Sequence, residues 1–352
     1  MYVTSKERWA LALNGERTDR VPTFFSATPE AEKKMFAAME AENFSQFADK
    51  LQIDKVLNIH PEYTGPALES GTTVFGARFE DIPYPGGSYT GIDGHCVHYP
   101  LSGFQSADEI EDNYQWPDPD WWDYSRLAEK IRGKEDWVIM GGGSEPFLDY
   151  REQLRGPEQA YIDMVENPEI LNYCLNKLTG LHFEMTQRIY ETLPGAVTGS
   201  WVAEDMGSQK GLLFSAEHIR QFLFPPMKRM IELVHGSGGA VFFHSDGDIS
   251  AILDDLVYLG IDVLNPVQWR CPGMDRNVLK DKYASRLIFH GAMDNQYTLA
   301  FGSPGDVREE VFTNIELLGC NGGYILGPCH KIQVISPAEN IAAMYEAVST
   351  VQ

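Results

Sequence analysis

The stretch GGAVFFHSDGDISAILDDLVYLGIDVLNPVQ, residues 238–268, decides how the chain is built. Its first apolar run reads as a strand over Gly239–His244. Residues 248–258 repeat apolar side chains at helical spacing, and Ile261–Pro266 is a second short apolar run bounded by turn residues. Strands alternating with helices imply parallel pairing.

The same alternation extends in both directions. Strands are expected at Val21–Ser26, Ile53–His60, Trp137–Gly142, Ala196–Ala203, Leu287–His290 and Gly323–Gly327. Helical patterns fall at 157–191 (read as two helices), 215–236, 276–282, 306–318 and 337–349. Together with the central unit these make eight strands, the number a closed (β/α)8 TIM barrel needs. An open, doubly wound sheet is the alternative. It expects a G-x-G-x-x-G after its first strand, and GGGSEP at 141–146 lacks that spacing. The opening SKERWALALNGERTDRVP reads as an N-terminal helical extension ending at Gly15. Residues 61–104 are rich in Gly, Pro, Tyr and Thr, and the alternating runs TTVFGARFE and HCVHYPL suggest a β-hairpin within an insertion spanning 61–135. With no internal repeat or low-complexity linker, 1–352 reads as one α/β domain.

Composition narrows the function. A chain that is 43% hydrophobic and 12% aromatic can bury a large core. Its 28 Lys and Arg against 51 Asp and Glu give a net charge of −23, which repels nucleic-acid backbones and anionic lipid. No apolar run approaches the ~18 residues of a membrane helix, and the N-terminus shows no secretory pattern. Five scattered cysteines are not a disulfide framework, so a reducing cytoplasm is the expected compartment.

In a barrel the active site lies where strands hand over to the following loops. Four of the nine histidines, His60, His244, His290 and His330, fall at such positions. Glu145, Glu204, Asp205, Asp246, Gln268 and Cys329 lie there too. His244 and Asp246 are two apart on an extended segment and project the same way. They could meet one metal ion, or Asp246 could cap the next helix beside a packed histidine. Asp248 is the better cap, which leaves Asp246 freer. Cys329 and His330 empty onto the same face, and His, Cys and a carboxylate with one open position make a plausible catalytic zinc set. Glu204 and Asp205 are costly to bury unpaired, so they either serve the site or dress a helix N-terminus. His95-Cys96-Val97-His98 reads as plain hairpin, because alternation sends its members to opposite faces. Trp116, Trp121 and Trp122 could line a pocket or pin a proline-rich loop, and Cys174 and Cys320 read as core.

HSDGDISAILDDLVYLGIDVLNPVQ at 244–268, GMD at 273–275, FHGAMDNQYTL at 289–299, EEVFTNIELLG at 309–319 and the stretch from Gly322 to Val348 together resemble the uroporphyrinogen decarboxylase family. ERTDRVP at 16–22 adds weaker agreement. The family is a (β/α)8 group with two branches, a metal-free tetrapyrrole decarboxylase and a zinc-dependent corrinoid methyltransferase. The decarboxylase branch carries an arginine-rich loop after the first strand; here RVPTFFSATPEAEKK has no arginine in that loop. The methyltransferase branch uses His-x-Cys after strand five and a late Cys. Here His244 and Cys329 match, and Asp246 stands in place of the first Cys. The resemblance thus implies zinc held by His244, Asp246 and Cys329. Its harder ligand set suits a methoxy oxygen, with the methyl passing to cob(I)alamin (cobalamin) on a partner corrinoid protein. Glu204, Asp205 and His330 are expected in catalysis, and His60, Glu145, Gln268 and His290 around the substrate. A homodimer is compatible. A metal-free lyase acting on another carboxylated substrate and a non-catalytic corrinoid- or tetrapyrrole-binding module are the alternatives.

Overall fold

The computed structural model describes residues 3–86 and 89–350. Its centre is a seven-stranded parallel sheet: β1 (Val56–Ile59), β2 (Val138–Ser144), β3 (Gly199–Ala203), β4 (Ala240–His244), β5 (Val263–Asn265), β6 (Ile288–Met293) and β7 (Tyr324–Pro328). The spatial order follows the chain order, and the sheet curls into a half-barrel. Both faces are apolar, as a parallel sheet covered by helices requires. Along β4, Val241 and Phe243 join the larger core beneath the helices. Phe242 instead joins an inner cluster with Trp9, Val138, Met140, Val263 and Ile325. Alternation therefore sends the His244 side chain to the inner side. Register places His244 level with Ala203 of β3 and Asn265 of β5.

The strand expected at Val21–Ser26 is present only as isolated parallel bridges, Thr23 to Leu326 and Ala27 to Ile332. On the β7 side it bonds normally, with Phe24 N donating to Leu326 O at 2.7 Å and Leu326 N to Pro22 O at 2.8 Å. On the side toward β1, side chains replace the backbone ladder. Thr23 N donates to Asp54 Oδ2 at 2.9 Å, and Asp54 N donates to Thr23 Oγ1 at 2.8 Å. Asp54 is fully buried and ion-paired with Arg8 of the N-terminal helix Ser5–Leu13 and with Arg20.

The helical region 157–191 is two helices, Pro157–Asp163 and Pro168–Thr192. The break follows from Pro168, whose missing N–H suits the first turn of a helix and not an interior. The insertion holds the expected hairpin, Arg78–Gly86 with Tyr89–His98, and a short pair, Glu62–Tyr63 with Trp122–Asp123. Cys96 is buried there while His95, Val97 and His98 are exposed, so Cys96 and His98 do not share the one face that regular alternation gives them; the ladder has a register shift at their partners Phe79 and Arg78. Trp121 and Trp122 pack on Tyr63, and Trp116 on Tyr114 and Tyr173, so these rings brace the insertion. Cys174 is buried, but Cys320, expected in the core, is exposed after the helix Pro304–Leu318. Among the described residues no helix is long and apolar enough to cross a membrane.

Asp54→Asn leaves two guanidinium groups short of a carboxylate at the point where the N-terminal segment meets β1. The expected loss is about 3 kcal/mol, read as a lower urea midpoint at unchanged slope.

Candidate metal centre at the C-terminal edge of the sheet

The loops after β3 and β4 touch backbone to backbone. Glu204 N donates to His244 O at 2.9 Å, and Asp248 N donates to Ser208 O at 2.8 Å. Two glycines permit this approach. A Cβ on Gly207 would lie 2.4 Å from Asp246 O, and Gly247, at φ +83°, would put one 2.6 Å from Ser208 O. Asp248 takes up the turn, accepting from Ser250 N at 3.1 Å and Gly273 N at 2.7 Å. Asp246 is thereby left facing the site.

The contact brings Asp205, His244 and Asp246 together, with one ligand atom of each within 4.8 Å of the others. Asp205 Oδ1 accepts from Asp246 N at 3.2 Å and lies 3.8 Å from His244 Nε2. Arg151 holds the same loop, donating to Asp205 O at 3.3 Å, with Nη2 3.8 Å from Asp205 Oδ2. Gln268 clasps the other loop, donating to Asp246 Oδ1 at 3.1 Å and accepting from Gly247 N at 2.7 Å. Burial raises the Asp246 carboxyl above its usual range, and nearby Asp205 adds to that, while His244 and His330 oppose it. A cavity of about 850 Å3 opens beside the cluster, lined by Asp246, Gln268, Trp269, Arg270, Cys329 and His330 among others. That volume suits a small organic ligand.

The cluster differs from the set expected from sequence. Asp205 joins His244 and Asp246, and Cys329 stands outside. The Cys329 thiol donates to Val267 O at 3.4 Å, and burial pushes it well above its usual pKa, so it stays protonated. Glu204, expected in catalysis, is buried beneath the site and accepts from Phe147 N at 2.8 Å and Leu148 N at 2.9 Å. It thus satisfies the start of the short helix Pro146–Asp149, and burial raises its carboxyl well above normal. His290, expected at the substrate, is fully buried and cannot touch one. Burial, with His244 nearby, lowers its pKa to about 3, so it is neutral. His330 and Gln268 line the cavity. His60 is exposed just past β1, clear of the cavity lining, and its carbonyl accepts from Lys130 Nζ at 2.7 Å.

Glu145 follows β2 and interacts electrostatically with Asp205 and His244. Part of its surface is open, yet surrounding protein desolvates the carboxyl and, with Asp149 beside it, lifts its pKa to about 7. His182, on the helix Pro168–Thr192, lies 3.0 Å from Asp149 Oδ2 and accepts from Glu145 N at 3.4 Å. Sequence reasoning missed His182, which sits within a helical pattern, and Arg151, which lies between the strand ending near Gly142 and the helical pattern beginning at 157; neither carries a local sign of a site. It also missed Asn265, which donates to His290 Nδ1 and accepts from His244 Nδ1, both at 2.6 Å. A signal existed there, an amide ending an otherwise apolar strand.

Residues 150–351, more than half of the chain, match the model of the uroporphyrinogen decarboxylase (URO-D) family. The chain belongs to that family. It is 30% identical over 150 residues to a uroporphyrinogen decarboxylase of Anaeromyxobacter sp. (strain Fw109-5), a match covering 43% of this chain and 41% of the relative. It is 21% identical to the chloroplastic uroporphyrinogen decarboxylase 2 of Oryza sativa subsp. japonica, over 97% of this chain and 86% of that one. A solved structure of a methyltransferase from Methanosarcina mazei shares the fold at TM-score 0.69 and 18% identity, over 99% of both chains.

A carbon-13 titration of glutamate carboxyls is expected to show, besides the raised carboxyls of buried Glu204 and Glu310, a group with a midpoint near 7, protonated below and charged above. It disappears in Glu145→Gln. A spectrum with every glutamate below about 5.5 would contradict the desolvated setting of Glu145.

Proposed function

We propose that this chain is a zinc-dependent methyltransferase that moves a methyl group from a small methoxylated compound to the cob(I)alamin of a partner corrinoid protein. The observation that carries the reading is the convergence of Asp205, His244 and Asp246 beside the cavity. Two carboxylates and an imidazole suit a divalent cation, and the Asp246 carboxyl, raised mainly by burial, is one whose charge such a cation would stabilise. Bound there, zinc supplies a Lewis acid for the ether oxygen. The full fold shared with a methyltransferase adds support.

The remaining work falls to the chain's own groups. Gln268 and Arg151 hold the two carboxylates in place. Trp269 lines the cavity, and Arg270 lies over its ring at 4.4 Å while pairing with Asp294 at 2.5 Å. Arg276 lies over the same ring at 3.9 Å, so the wall beside the cavity is a cation-clad aromatic ring rather than a bare one. Glu145, protonated up to about pH 7, holds the proton that the departing oxygen needs. A metal-free lyase is the second reading, favoured by the decarboxylase names of the relatives; there Glu145 would protonate the carbon left by carbon dioxide.

Protein purified without chelator is expected to hold about one zinc ion per chain. His244→Ala and Asp246→Ala should weaken zinc binding by more than about 100-fold and abolish demethylation of methoxylated aromatics. Full activity in His244→Ala, or in zinc-stripped protein, rejects this reading, and carbon dioxide release without metal favours the second.

With Glu145 as the acid, kcat/KM should fall as pH rises through its titration, which a bound cation beside Asp205 and His244 moves to lower pH, because the deprotonated carboxyl has no proton to give. Glu145→Gln should lower the rate and remove that limb, and an unchanged profile in the variant counts against the role.

A further inference from the structure

Behind the candidate metal centre runs a line of polar groups, from His244 through Asn265 to His290. His244 Nδ1 and Asn265 Oδ1 are 2.6 Å apart, as are Asn265 Nδ2 and His290 Nδ1. Asn265 is buried at the end of β5 and level with His244 across the sheet, so sheet register sets the first contact. His290 is completely buried, and its Nε2 makes no hydrogen bond with any described residue.

The surroundings of His290 decide which nitrogen carries its proton. Its ring meets those of Trp201 and Phe242 almost at right angles, with centroids 5.8 and 6.1 Å away, and Phe24 lies at 4.8 Å. Aromatic faces are electron-rich, so an N–H among them is favoured and a lone pair is repelled. The proton of neutral His290 therefore belongs on Nε2, and Nδ1 is an acceptor. The Asn265 amide must then turn its NH2 toward His290 and its carbonyl toward His244. A carbonyl can only accept, so His244 carries its proton on Nδ1. Its Nε2 lone pair is left on the side of Asp205, 3.8 Å from Oδ1.

We propose that Asn265 is a positioning residue which, oriented by His290 and its aromatic box, locks His244 in the tautomer whose Nε2 is free to ligate a cation. The purpose rests on the metal-centre reading, but the proton positions can be measured in the metal-free chain. Outer partners of this kind fix the ring and raise its basicity, and losing one typically weakens metal binding about 10–100-fold.

Nitrogen-15 spectra of histidine-labelled, metal-free protein test it, with His244→Gln and His290→Gln assigning the two rings. The expected result is protonation of His244 at Nδ1 and of His290 at Nε2. His244 protonated at Nε2 in the wild type overturns the proposal and needs no other variant to be read. Zinc(II) affinity, from competition with a chromophoric chelator, gives the second readout. Asn265→Leu keeps the volume without the amide and should bind zinc about 10–100-fold more weakly. Asn265→Asp keeps an acceptor for His244, so it should bind zinc close to wild type while His290 moves its proton to Nδ1. Wild-type affinity in Asn265→Leu overturns the proposal. If the wild type binds no zinc while its proton positions are as expected, the metal-centre reading fails and the tautomer lock stands.

Discussion

The seam between the loops after β3 and β4 is the constraint on which the site depends. Parallel strands spread their side chains over a curved edge, and nothing in the sheet ladder itself makes residues of neighbouring loops converge. Here two glycines remove the side chains that would hold those loops apart. Backbone bonds from Glu204 and Asp248 then close the gap. Asp205 meets His244 and Asp246 because main chains, not side chains, are in contact beneath them.

Electrostatics separates the acids of this seam from the structural acids of the fold. Asp54 is matched by Arg8 and Arg20, and Asp163 by Arg155 at 2.7 Å, so each buried carboxylate has guanidinium partners. Glu204 and Asp248 are served by backbone N–H groups. Asp205 and Asp246 have less: single backbone or amide contacts, and Arg151 no nearer than 3.8 Å. On a chain of net charge −23, two such carboxylates side by side make a group that could hold a cation. The same reasoning sets Glu145 apart, because desolvation and nearby Asp149 outweigh His182 and His244 and lift it to about 7.

Much of this was legible in the residues. The seven sheet strands fall within a few residues of the apolar runs that announce them. His244 and Asp246 are two apart at a strand end, so local alternation alone pairs them. Asp248 is not the helix cap, a place taken by Ile249, but it turns the chain by accepting from Ser250 N and leaves Asp246 facing the site. Less legible was the first strand, where a threonine and an aspartate side chain stand in for a ladder whose apolar pattern looked ordinary. Cys329 and His290 misled for different reasons. The apolar run stops at His290, but β6 continues to Met293, so His290 sits within the strand and its side chain enters an aromatic box rather than the strand's end. Cys329 lies just past β7, where local alternation no longer fixes direction, and its thiol turns to the Val267 carbonyl.

Taken alone, the amino-acid sequence determined the alternating α/β architecture, the strand edge that carries the candidate cluster and the His244–Asp246 pair, because each depends on periodicity or on neighbours one or two residues away. Only the tertiary structure decided that Asp205 completes the cluster, that Cys329 does not, and that Asn265 and His290 stand behind His244. Those outcomes depend on cross-strand register and on how closely two loops can approach, which are distances through space between residues far apart in the chain.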